Sequence, residues 1–179
     1  MKRILLFAAT LLFALTGFGQ TYHIKVSLDN MAVLKTSEIN KDEFAISEFS
    51  RIDDGQGSFK RIPEKPFEYA LVKGGKLENI LLFDDTLKPN EKLTLRYLFM
   101  EIDSPPLFPD DGAGIALITL QNTDKGILSD FTITQGDKIP EAKKLKPTQF
   151  PLKKVVDLTG HGGHLQVHFR IEAIPVAKK

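Results

Sequence analysis

The 179-residue chain has no cysteine, no tryptophan and only three tyrosines, and its charges nearly cancel, with 24 Lys and Arg against 23 Asp and Glu. Each shortage excludes something. Without cysteine there is neither a disulfide scaffold nor a Cys-type structural zinc module. With balanced charge there is no sequence-wide attraction for phosphate backbones, so nucleic acid is not an expected partner. The 13 Gly and 10 Pro follow no period, which excludes a collagen-like or low-complexity chain. What is present, 42% hydrophobic and 26% charged residues, is the profile of one folded domain.

Long apolar runs are also scarce, and the one that stands out lies at the start. Met1-Lys2-Arg3 precedes an apolar stretch from Ile4 to Leu15, and Thr16-Gly17-Phe18-Gly19-Gln20 follows it. A basic n-region, about a dozen apolar residues and a small pair, Gly17 and Gly19, match a secretory signal peptide cut before Gln20. The run is shorter than the roughly 20 residues that span a bilayer, and no Cys follows it to carry a lipid. The expected division is therefore a signal peptide over 1–19 and a single domain over 20–179, exported to the periplasm or beyond the cell. Removing 19 residues leaves 160, and with Lys2 and Arg3 gone, 22 basic residues face 23 acids. A domain of this size buries about 70% of its unfolded surface, enough to hold without disulfides.

Within those 160 residues the pattern is alternation. Tyr22, Ile24, Val26 and Leu28 fall on one side of an extended segment, with His23, Lys25 and Ser27 on the other. Phe44 and Ile46 repeat the pattern, as do Phe67, Tyr69 and Leu71. Two apolar runs, Phe67–Lys73 and Lys76–Phe83, are joined by Gly74-Gly75, which predicts a tight hairpin because primed turns need positive φ. Lys92–Ile102 is apolar on both faces and reads as a central strand, and Gly114–Leu120 is similar. Asp130–Gln135 and Leu152–Leu158 are shorter candidates. In the last strand Leu165, Val167, Phe169 and Ile171 point inward. Eight or nine such strands predict an all-β fold, an antiparallel β-sandwich. A turn of helix near Glu141–Leu145 is the one departure expected.

Three connections exceed what a hairpin needs: Ser50–Pro66 with its Asp53-Asp54-Gly55-Gln56-Gly57 run, Asp103–Gly112, and the lysine-bearing Gly136–Pro151. Loops on a rigid scaffold are where binding chemistry concentrates. In the second of them a buried strand ends in Glu101-x-Asp103, the loop carries Asp110 and Asp111, and another strand follows Gly114. Hard oxygen donors in that number suit Ca²⁺, which takes six to eight oxygens at roughly 2.3–2.6 Å. Turn chemistry alone also produces Asp-Asp-Gly.

The strand, the acid-x-acid, the later acid, Gly and the next apolar strand resemble the third calcium-binding loop of C2 domains. These are eight-stranded β-sandwiches that often bind Ca²⁺ and phospholipid headgroups at one end. Tyr22–Leu28, then Ala32-Val33-Leu34, then Lys41-Asp42-Glu43-Phe44-Ala45-Ile46 are similar to that family's first strand, first loop and start of the second strand. The resemblance implies a C2-like sandwich with Asp42 as an acid of the first loop, Glu101 and Asp103 as the paired acids of the third, and Asp111 as its last acid, beside Asp110. It departs from the pattern where another first-loop acid belongs: Thr36 stands there, with Glu38 nearby. Glu replaces Asp at 101, and Pro105, Pro106 and Pro109 stiffen a longer loop. A depleted ligand set implies weak calcium binding, of use outside cells, where calcium modules work at roughly 10⁻⁴–10⁻³ M.

Two further features attract notice. Pro106-Leu107-Phe108 sets an apolar pair on that loop, either capping the sandwich or inserting into a membrane or a partner's pocket. His161, His164 and His168 lie close in sequence, but residues four apart on a strand are separated by about 13 Å, too far to share one zinc. No Gly-x-Ser-x-Gly elbow, phosphate loop or His-Glu-x-x-His helix is present, and Asp53-Asp54 and Asp84-Asp85 read as turn acids, so no enzyme is expected. Two functions remain. One is a secreted C2-like binding module whose acid loops hold Ca²⁺ and recruit a lipid headgroup, a glycan or a protein. The other is a metal-free sandwich acting as a structural or protein-interaction component of the cell envelope.

Overall fold

Residues that alternate apolar and polar along an extended chain must bury one face, and two such surfaces pressed together exclude water from both. In the computed structural model, which describes residues 19–36, 42–66, 68–102, 111–136, 138–160 and 163–177, that is the outcome. The described strands are β1 (Tyr22–Lys35), β2 (Asp42–Ile52), β3 (Ser58–Ile62), β4 (Tyr69–Leu71), β5 (Lys76–Leu87), β6 (Lys92–Glu101), β7 (Asp111–Thr123), β8 (Gly126–Gln135), β9 (Lys146–Pro147), β10 (Leu152–Gly160) and β11 (Gly163–Pro175). One sheet has four strands in the order β10-β11-β1-β5, and the other has seven, β3-β2-β6-β7-β8-β9 with β4 also on β2. Every pairing is antiparallel. The expected all-β antiparallel sandwich is therefore present. Eight strands are long, and β3, β4 and β9 are short pieces of 5, 3 and 2 residues at sheet edges.

The core lies between the sheets. Leu165, Val167, Phe169 and Ile171 face inward from β11 as expected, and Leu93, Leu95, Tyr97 and Phe99 answer from β6, all at most 1% exposed. Phe169 sits at the centre, its ring centroid 5.2 Å from Phe131, 5.9 Å from Phe99 and 6.2 Å from Tyr97. Fully burying side chains of this kind stabilises the fold by about 1.5–3 kcal/mol each. Strand β1 runs further than Leu28. Against β11 the register shifts between Leu28 and Asn30, so one extra residue, Asp29, changes the parity. Ile24, Val26 and Leu28 face inward before it, Met31 and Val33 after it.

Two local expectations are corrected. Gly74-Gly75 does not close a hairpin between neighbouring strands: β4 pairs with β2 and β5 with β1, so the turn carries the chain from one sheet to the other. The glycine is used as expected, for Gly74 has φ +81° and the Gly75 N–H donates to the Val72 carbonyl at 2.7 Å. What holds the crossing is β1, since Gly74 N–H donates to the Val33 carbonyl and Val33 N–H to the Gly75 carbonyl. Glu141–Leu145 forms no helix. That segment is tied along β8 instead, with Lys143 N–H donating to Asp130 Oδ2 at 2.9 Å and β9 pairing with Leu128 and Ser129. Backbone partners on an open sheet edge outweigh a weak helical preference.

The first and last described segments meet at the end of the sandwich where β5 passes to β6. Val176 N–H donates to the Thr21 carbonyl, and Gln20 Nε2 donates to the Val176 carbonyl at 2.7 Å. Buried Asn122 donates its Nδ2 to the carbonyls of Gln20 and Leu87, at 2.7 and 3.2 Å.

Candidate functional site

The acids singled out in the sequence converge in part. Asp42 opens β2 and Glu101 closes β6, and the register sets Phe44 opposite Glu101. Asp42, two residues before Phe44, therefore shares the inner face with Glu101 at one end of the seven-stranded sheet. Both are buried, Asp42 fully and Glu101 to 6% exposure, with Glu43 on the opposite face at 8%. The backbone of Asp111 pairs with that of Glu101 on β7, so positions 42, 101 and 111 lie on three successive strands, β2, β6 and β7. Asp103 and Asp110 lie outside the described residues, as does the side chain of Asp111. So do Glu38, His161, Leu107, Phe108 and the proposed leader up to residue 18.

The opposite sheet closes over this end. A Cβ on Gly160 would stand 2.7 Å from the Gly112 carbonyl oxygen and 3.2 Å from the Ala113 Cα, so only glycine lets β10 approach β7 this closely. A Cβ on Gly163 would sit 3.8 Å from Asp42 Oδ2, which puts the start of β11 over that carboxylate. A cavity of about 10 Å³ remains, lined among others by Phe44, Glu101, Gly112 and His164. That is room for one ion or one water and for nothing larger. Carboxylates and backbone carbonyls are the donors a hard cation takes. Among the described residues no three His, Cys, Asp or Glu side chains form a metal-holding group.

The other sequence candidates are engaged elsewhere. His164 Nε2 lies 3.1 Å from Asp157 Oδ1, Gln166 Nε2 donates to the same oxygen, and His168 Nε2 lies 3.1 Å from Gln166 Oε1. The Gln166 amide first, then His164, holds the Asp157 carboxyl below the usual aspartate value. These residues form a hydrogen-bonded row on the outer face of β10 and β11. Asp53 Oδ1 accepts the Lys92 N–H at 2.8 Å and Asp84 pairs with His23 at 2.7 Å, structural roles in both cases.

A second polar group lies inside the sandwich toward the opposite end, unannounced in the sequence. Glu48 is buried on the inner face of β2, directly opposite Tyr97. Its carboxylate accepts a hydrogen bond from Ser50, whose oxygen lies 2.6 Å from that of Ser58. Burial raises the Glu48 carboxyl, against the pull of Lys60 and Ser50, and pushes the Tyr97 hydroxyl well above its ordinary value, with Glu48 adding to it. The signal available in the sequence was parity: Glu48 and Ser50 follow Phe44 and Ile46 at even positions.

Among the described residues no helix is long and apolar enough to cross a membrane. No protein-family model and no curated protein matches the chain. Among solved structures it is similar in fold to a C2 domain of a plant extended synaptotagmin 1. That likeness covers 90% of this chain and 98% of the other, at 9% identity and a TM-score of 0.39.

Proposed function

We propose that this chain is an exported, non-enzymatic binding module of C2-like type whose acid end holds Ca²⁺ weakly and through it an oxygen-rich ligand, a lipid headgroup or a glycan. The observation that carries this reading is the placing of Asp42 and Glu101, both buried, on one inner face, with Glu101 lining a cavity that has room for a single ion. Carboxylate oxygens gathered on one inner face are donors of the kind that Ca²⁺ takes. Bound calcium would supply a positive centre with coordination positions open to phosphate or hydroxyl oxygens. The protein's part is to hold the donors: Asp42 on β2 and Glu101 on β6, with the acids of the connection between β6 and β7, Asp103, Asp110 and Asp111, proposed as the further ligands.

The test is thermal unfolding during a calcium titration. With a dissociation constant of about 1 mM, 10 mM calcium stabilises the folded state by about 1.4 kcal/mol, a rise of about 3–5 °C for a domain of this size. Asp103→Asn with Asp111→Asn abolishes the rise, and magnesium at the same concentration does not reproduce it. An unmoved midpoint at 10 mM calcium removes the metal and leaves the metal-free interaction component of the envelope.

A further inference from the structure

The connection after Ser50, which the acid end does not use, builds a different feature. β2 turns at Asp53 into β3, and this turn forms one wall of a groove of about 300 Å³ at the end of the sandwich away from Asp42 and Glu101. Its polar lining comes from both sheets: Ser50, Arg51, Gln56 and Ser58 from the β2–β3 side, and Asp85 from β5. Phe83, half-buried on β5, supplies an aromatic surface, and Leu93 lies at the base.

The groove is built before any ligand arrives. Asp53, at φ +49°, donates its N–H to the Lys92 carbonyl at 2.7 Å and accepts the Lys92 N–H on Oδ1, which pins the turn to the start of β6. On its other side the ring of Phe49 lies against Gly57, where a Cβ would stand only 2.4 Å from it. Asp85 is oriented by the Thr86 N–H, which donates to Oδ1 at 2.6 Å. Walls fixed in this way spare a ligand the cost of ordering them.

The chemistry of the lining selects a class of ligand. Arg51 lies on the outer face of β2, next to inward-facing Ser50, so the charge the groove takes from its lining is that of Asp85, an acceptor for hydroxyl groups. Gln and Asp are planar groups that meet adjacent hydroxyls two at a time, and the Ser50–Ser58 pair presents hydroxyl groups beside them. Phe83 offers a flat apolar partner to a ring with one apolar face. A volume near 300 Å³ is at the lower bound of small-molecule sites. We infer that the groove between the β2–β3 turn and β5 binds a neutral sugar unit, stacked on Phe83 and hydrogen-bonded by Gln56 and Asp85, independently of calcium.

The full chain is titrated with glucose, galactose, mannose, N-acetylglucosamine and their common disaccharides, followed by saturation-transfer NMR and calorimetry, in EDTA and again in calcium. At least one of these sugars binds equally in both buffers. Asp85→Asn and Gln56→Ala, both at exposed positions, each weaken it about tenfold, the loss expected for one hydrogen bond to a polar or charged group. Phe83→Ala abolishes stacking, and its fold is checked by circular dichroism; the two exposed variants keep the test sharp where Phe83→Ala unfolds. Saturation by none of the sugars overturns the inference. So does binding that survives Asp85→Asn with Gln56→Ala, or a zwitterionic dipeptide binding more tightly than every sugar. Sugar binding lost in EDTA also overturns it, and moves the ligand to the acid end.

Discussion

Glu48 and Tyr97 face each other across β2 and β6 inside the sandwich, and both Glu48 Oε2 and the Tyr97 hydroxyl are buried without a hydrogen-bond partner. Each unsatisfied buried polar group carries a desolvation cost of about 1–3 kcal/mol. The pair is thus a place where the fold gives up stability.

The Glu48 carboxyl is raised in the folded protein from the ordinary value of 4.5, chiefly by burial. The folded state therefore holds its proton more firmly than the unfolded state, and stability falls as pH rises from about 4.5 through the raised value. Glu48→Gln removes that decline. We expect the variant to match the parent near pH 4 and to exceed it at pH 7, by up to about 1 kcal/mol, in urea unfolding followed across that range. A parent whose stability climbs with pH at the same rate as the variant's would contradict this role.

Asn122→Ala removes two side-chain donors that hold Gln20 and Leu87 from within the core. A loss of about 1–3 kcal/mol is expected, together with faster hydrogen exchange in the first residues of β1. A loss below about 0.5 kcal/mol, the size of a neutral surface change, would show that the two carbonyls find other donors.

Gly160→Ala tests the closure over the acid end. Its methyl group meets the backbone of Gly112 and Ala113, which cannot turn aside as a side chain does. Overpacking of this kind costs about 1–3 kcal/mol. Gly126 is the control: it has φ +102° and open space around its Cβ position, so Gly126→Ala pays for conformation alone, about 1 kcal/mol. If calcium raises the midpoint of the parent, Gly160→Ala lowers that response while Gly126→Ala keeps it.

Most of the sandwich was legible because alternation is forced wherever one face is buried, as at β11 and in β1 as far as Leu28. What escaped was set by partners distant in sequence. β3 has a single buried apolar residue, Ile62, and is a strand because β2 offers it an edge. The Gly74-Gly75 turn looks the same locally whether it joins neighbours or crosses between sheets. The extra residue at Asp29 is invisible until β11 is laid beside β1. At the acid end, Glu101 stood out as one of two alternating acids at a strand end and Asp42 only through the resemblance to C2 domains; their inward direction was implicit, since Glu101 has the parity of Tyr97 and Phe99 and Asp42 that of Phe44. The groove had no sequence signature, because Phe83 on β5 and Gln56 in the β2–β3 turn come together only when the two sheets pack.

The joining of Gln20 and Thr21 to Val176 has a practical meaning. Residues 20 and 176 leave the sandwich side by side, at the pole opposite Asp42 and Glu101. A tag, dye or surface linkage attached beyond either residue anchors the molecule by that pole, so an immobilised sample displays the acid pole to the solution. Calcium or vesicle binding is then best measured on a tethered protein, whereas sugar binding in the groove calls for the untethered one.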